Sequence, residues 1–176
     1  MMMKILAINS ISFKKRMIEL LFDYLFILAY LALLFLGSML FYIIFFNGIP
    51  EFTEIQSQCL VFFTSVLPIT LIFTFLDYTK NVSFGKAKAG LQLVYKKKTV
   101  QASLIRNTIK FLPWQIGHMG TIHGFYSEFD FLSIILSFLA TLLAVALLAM
   151  MVFRKDKRHL GDLIAHTQVQ LKGDYN

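Results

Sequence analysis

Long apolar blocks alternate with short polar breaks along this chain, and the breaks carry most of its charge. The first block, 17–46, exceeds the roughly 20 apolar residues that cross a bilayer. Its leading end is expected to run along or just below the interface before crossing. Asn47-Gly48-Ile49-Pro50 closes it with turn-forming residues. The second block, 59–76, contains Pro68 among Thr64, Ser65, Thr70 and Thr74. Hydroxyls can satisfy the backbone carbonyls that a membrane proline frees, so a kink is expected, serving packing. Residues 77–100 form a hydrophilic connection in which Leu91-Gln92-Leu93-Val94 alternates like a short strand. A third segment, 102–126, is interrupted by Arg106, Asn107, Lys110, Pro113, His118 and His123. The fourth, 131–153, has no formal charge and is the clearest span. In the tail, 154–176, Thr167 to Leu171 alternates again, and the two alternating stretches predict a small cytoplasmic strand pair.

Composition agrees with a membrane solvent. Of 176 residues, 57% are apolar and 15% charged, against an apolar share of about 45–50% in soluble domains. The length leaves no room for a separate soluble domain, so 1–176 reads as one membrane domain. The charge of +7 lies beside apolar blocks. It fits the bilayer's anionic headgroups as the basic residues' partner, with no nucleic acid. The lone Cys59 excludes an internal disulfide and a cysteine metal cluster. Met1 to Ser12 shows no cleavage-site pattern, so no removed signal peptide is expected.

The third segment is decided by where the 17 basic residues fall. Lys4, Lys14, Lys15 and Arg16 precede the first span. Lys80, Lys86, Lys88 and Lys96 to Lys98 occupy the central loop, and Arg154, Lys155, Lys157, Arg158 and Lys172 the tail. Arg106 and Lys110 remain. If segment three crosses, both outer loops lack Lys and Arg; if it does not, the basic tail is forced outside, against the positive-inside rule. The prediction is an all-α integral membrane protein, a four-segment transmembrane helical bundle of the bacterial inner membrane with both termini cytoplasmic. An amphipathic third segment lying on the surface is the alternative.

Candidate chemistry is concentrated in the first helix. Residues 16, 19, 23, 27 and 30 share a face, so Arg16, Glu19 and Asp23 form one stripe. Asp23 lies about 10 Å beyond Arg16 along the axis. An ionised residue near a helix centre costs about 2.5–3.5 kcal/mol on insertion scales, so such residues face inward and find partners. Arg106 and Lys110 are the available cations. The cluster reads either as ion pairs that fix helix packing, or as a carboxylate alternating between a proton and a cation. Ser83-Phe84-Gly85-Lys86 lacks the spacing of a phosphate loop and reads as a tight turn. His118, His123, Glu128 and Asp130 match no standard metal spacing, and no metal is expected. No nucleophile-base pairing or Gly-x-Ser-x-Gly elbow occurs, so neither a catalytic residue, nor an enzyme, nor a cofactor is expected.

Ordered blocks of the chain resemble the RDD family of small bacterial membrane proteins. They are Phe13-Lys14-Lys15-Arg16 with Phe22-Asp23, Ser83-Phe84-Gly85-Lys86 leading to Ala89-Gly90-Leu91-Gln92-Leu93-Val94, Leu104-Ile105-Arg106-Asn107, and Leu160-Gly161-Asp162 through Val169. Phe84 stands where the family usually has Pro, and Lys88 where it often has Arg. The resemblance implies a multispan domain with Arg16, Asp23 and Asp162 as signature residues. Cation/proton antiport is associated with some members. On that reading Asp23 carries protons and monovalent cations beside Glu19, and Arg16, Arg106, Lys110 and Asp162 complete the pathway. Asp162 is expected either to cap a short interfacial helix or to pair with Arg16 or Arg106. The rival role is a non-transporting structural or accessory protein supporting a partner complex. Four spans enclose little space, so a homo-oligomer or a membrane partner protein is an expected associate.

Overall fold

The computed structural model describes residues 5, 8, 9 and 11–173. Lys4 and the last three residues of the tail, which entered the charge map and the tail boundary, lie outside the described residues. Helix α1, Phe13–Phe46, starts at the Ser12 cap and runs unbroken to a left-handed Asn47. Its start lies earlier than the apolar pattern implied, because the cap rather than hydrophobicity sets it. The residues it buries fully are Arg16, Glu19 and Asp23, while many of its apolar side chains are exposed and Ile18, Phe26, Ile27 and Tyr30 pack partly buried against the core. The helix is thus inverted relative to a soluble one, as a lipid-facing helix should be.

The chain returns through α2, Glu54–Val61, a π-helical turn at 62–66, and α3, Leu67–Lys80. This rod is longer than the expected 59–76, because Thr53 and Gln56 form a capping box at its start. Pro68 has no N–H to offer the Thr64 carbonyl. The Tyr30 hydroxyl on α1 donates to that oxygen instead, at 2.5 Å. Thr64, Ser65 and Thr70 donate to carbonyls four residues back. Pro68 therefore falls beside a π-turn, with hydroxyl compensation of the expected kind.

A short helix α4, Phe84–Ala89, and strand β1, Leu91–Tyr95, replace the simple loop. Helix α5, Val100–Tyr126, and α6, Phe131–Phe153, pack along each other, and Gly120 lets Ser137 and Leu136 approach closely. After α7, Leu160–Ile164, strand β2, Thr167–Leu171, pairs antiparallel with β1 so that Leu93 faces Val169. The strand pair is as expected, with Tyr95 added. Ile11, Leu91, Leu93, Ala102 and Val169 form a core beneath it.

Among the described residues three helices are long and apolar enough to cross a membrane: α1, the Glu54–Lys80 rod and α6. The described residues are mostly helical with one two-stranded sheet. Helix α5 matches the others in length but is more polar, and it sits between α3 and α6. Asn9 donates to the carbonyls of Lys155 and Val169, so the first described residues and the tail meet at the same, sheet-bearing end.

Candidate functional site: a buried ion-pair network at the sheet end

The charged stripe of α1 meets three other elements. Arg16 donates through Nη1 to Glu19 Oε2 at 2.7 Å and through Nη2 to the Lys157 carbonyl at 2.8 Å. One turn further on, Asp23 accepts from the Ser83 hydroxyl at 3.0 Å, the Gly85 amide at 2.8 Å and Lys110 Nζ at 3.1 Å. The close approach of α4 requires glycine at 85, since a Cβ there would overlap the Glu19 carbonyl. Lys110 also lies over the rings of Phe73 and Phe111, at 4.5 and 5.2 Å from their centroids.

Behind this pair Asp77, at the sheet end of α3, organises a second layer. Its Oδ1 accepts from Lys86 at 2.9 Å, and its Oδ2 accepts from Arg106 at 2.8 Å and Asn107 at 3.1 Å. Lys86 also lies 3.8 Å from Glu19. Arg106 bridges outward through Nε to Asp162 Oδ1 at 2.6 Å, an oxygen that also accepts from Thr167 at 2.8 Å. Four cations (Arg16, Lys86, Arg106, Lys110) thus face four carboxylates (Glu19, Asp23, Asp77, Asp162), and all but Lys110 are almost wholly buried. A network of this kind is tolerable in a low-dielectric interior because charges balance and hydrogen bonds accompany them.

All six residues singled out from sequence fall into this network. The pairing differs in part. Lys110 reaches Asp23 as expected, whereas Arg106 goes to Asp77 and Asp162 rather than to the α1 acids. Asp162 pairs with Arg106 and is not the cap of α7. That cap is His159, whose Nδ1 accepts from the Gly161 amide at 3.1 Å.

Asp77, Ser83, Gly85, Lys86, Asn107 and His159 were missed as site residues. Ser83 to Lys86 is the segment read as a tight turn; its serine cap, glycine contact and lysine each serve the network. An available signal was Asp77, an acid ending an apolar block as Asp23 interrupts one.

Outside the long helices the electrostatics are plain. Burial pushes His159 down to about 4, assisted by Arg106, Lys110 and Arg16 against the opposing Asp162. Its Nδ1 accepts a hydrogen bond, so the neutral ring carries its proton on Nε2. Burial alone would raise Asp162, but Arg106 foremost, with His159 and Arg16, holds it well below the carboxylate range. Hydrogen bonds from Arg154 and then Arg158 hold Asp156 at about 2 against its burial.

A cleft of about 810 Å³ opens beside the network between α1, α5 and α6. Arg16, Glu19, Asp23, Arg106, Lys110 and His159 line its polar end. At the opposite end of the molecule His123 lies between Glu54, at 2.8 Å, and Asp130, at 3.4 Å. Among the described residues no three His, Cys, Asp or Glu side chains converge as a metal site. Cys59 is exposed and free.

Membrane-length apolar helices whose charges turn inward define a class, the multi-pass helical membrane protein. Within that class the chain belongs to the RDD family, whose family model matches residues 11–166. No curated protein and no solved structure matches it. Arg16, Asp23 and Asp162, the residues marked by the resemblance, all lie in the one network.

Proposed function

We propose that this chain is a non-enzymatic accessory protein of the bacterial cell membrane, whose ion-pair network locks four crossing helices around a lateral cleft that receives a membrane component. The observation that carries this reading is how firmly Asp23 is held, by donors from two other elements. Its two oxygens accept three hydrogen bonds, from Ser83, Gly85 and Lys110. A carboxylate so held is a packing anchor; an exchanger needs one that can change partners. Four crossings are supported by α5. It touches Asp77 through Arg106 at the sheet end and Glu54 through His123 at the other, so it runs as far as the apolar rod beside it. The basic tails and central loop then share one side, the cytoplasm.

Cation/proton exchange is the second reading, favoured by one feature: the Asp23–Lys110 pair fronts the cleft, and Lys110 is the most accessible cation of the network. Flux in proteoliposomes separates the two. With Na⁺ or K⁺ and an imposed pH gradient, the wild type is expected to add no flux over protein-free vesicles. Flux that Asp23→Asn abolishes in a folded protein would establish the exchanger instead. For topology, a Lys172→Cys probe in a Cys59→Ser background should resist labelling from outside intact cells; labelling there would remove the four-crossing arrangement.

A further inference from the structure

The cleft is polar at one end and apolar along the rest of its length. Its charged floor gives way to Ile27 and Leu31 of α1, Trp114 of α5, and Ala144 and Leu148 of α6. From Arg16 to Leu31 the α1 axis rises about 22 Å, somewhat more than one leaflet's share of a hydrocarbon core about 30 Å thick. Beyond Asp23 α1 has no fully buried residue, and Tyr24 and Leu28 of its cleft wall are exposed on the face that would meet the bilayer. Polarity of this kind, charge at the interface and hydrocarbon beneath, is that of a phospholipid in place.

Arg16, on this floor, also has a donor that no other described residue uses. Arg16 is 2% exposed and lines the cleft, yet its Nε has no hydrogen-bond partner among the described residues. A buried guanidinium N–H without an acceptor is costly and calls for one. Lys110, one helix away, spends its ammonium on a single carboxylate oxygen and two ring faces. The charged groups facing the cleft are Arg16, Arg106 and Lys110 against Glu19 and Asp23, with His159 beside them. Asp77, Asp162 and Lys86 stand behind this surface. The face presented to the cleft is therefore cationic although the whole network balances, and it suits a phosphate oxygen.

We propose that the cleft binds one anionic phospholipid, its phosphate on Arg16 and Lys110 and its acyl chains along α1 and α6. The proposal rests on the reading of the network as a lock and names the membrane component that the cleft receives.

The test uses the full chain purified in mild detergent with vesicle lipids of defined composition. Phosphatidylglycerol and phosphatidylcholine with identical chains are offered in parallel, and inorganic phosphate is offered alone. Bound lipid is counted by native mass spectrometry, and stability is followed by thermal unfolding. One phosphatidylglycerol per chain is expected to remain bound and to raise the unfolding midpoint, while phosphatidylcholine and inorganic phosphate do neither. Ala144→Phe fills the cleft from α6 without touching the network. It should weaken retention about tenfold, the order of a lost charged or apolar anchor, and leave the lipid-free midpoint unchanged. Arg16→Gln should lose preference for the anionic headgroup.

Equal retention of the two lipids would overturn the proposal. So would stabilisation by inorganic phosphate alone, which marks a free-anion site, or unchanged retention in Ala144→Phe. A lipid-independent dimer cross-linked through Ala144→Cys in a Cys59→Ser background would show a second copy in the cleft. Any of these, with no ion flux, removes the lipid and leaves the helix-locking role standing. Flux abolished by Asp23→Asn removes the lock whatever lipid is bound.

Discussion

Arg106 joins Asp162 across 56 positions of sequence, Nε to Oδ1 at 2.6 Å, while its Nη1 holds Asp77. One guanidinium on α5 thereby ties α3 to the segment that leads into β2. The planar fork makes this bridge possible, since a lysine offers a point charge rather than two divergent donors.

Arg106→Ala should cost about 3–5 kcal/mol, the range for stranding a buried charge. Arg106→Lys should recover only part of it. Thermal unfolding in detergent measures both, and equal stability of Arg106→Lys and wild type would refute the bridging role.

Gly85 is the contact point of α4 on α1. Gly85→Ala forces the short helix away from Glu19 and breaks the amide bond to Asp23. A loss of about 3 kcal/mol or more is expected. Gly37→Ala is the control, because nothing lies within 4 Å of its added carbon. Comparable losses at 37 and 85 would contradict the packing argument.

Tyr30 compensates Pro68. Tyr30→Phe leaves the Thr64 carbonyl without the hydroxyl that replaces the missing N–H, at a cost of about 1–3 kcal/mol. In a Pro68→Ala background the restored N–H should shrink that loss. Identical losses in both backgrounds would separate the hydroxyl from the proline.

Much of this fold was legible in sequence because charge in a membrane segment is expensive. Arg16, Glu19 and Asp23 share a helical face, and the need to pair them brought Arg106 and Lys110 into view. Segment three is a full-length helix, α5, although hydropathy does not place it among the candidate spans, and its crossing, argued from the charge count, belongs to the proposal. The strand pair was visible from alternation at Leu91 and Thr167. The rest depended on contacts that no local pattern encodes. Ser83 to Lys86 resembles any turn until Gly85 touches Glu19 and Lys86 reaches Asp77. His159 resembles a basic-tail residue until its Nδ1 caps α7. Asp162, marked only by family resemblance, gains its physical reason from Arg106.

Acid should weaken the sheet end in two stages. His159 is neutral in the fold, with its pKa lowered from 6.5 to about 4. The unfolded chain therefore binds the extra proton first, and stability falls as pH drops from about 6.5 towards 4. Asp156 is depressed from 3.8 to about 2, and Asp162 is depressed as well. Their contributions are complete above 3.8 and are lost below it. His159→Asn keeps an acceptor for the Gly161 amide, so its unfolding midpoint should decline less steeply than that of wild type from pH 6.5 to 4. An unchanged decline in that variant would reassign the first stage.

The central claim is that Asp23 is a packing anchor held by Lys110, and a double-mutant cycle tests it most directly. Asp23→Asn, Lys110→Met and the pair are compared with wild type by thermal unfolding in the same detergent. The account predicts that each single change destabilises and that the pair is less damaging than the sum, with a coupling of about 1–3 kcal/mol. Additive losses, or single variants as stable as wild type, would contradict it.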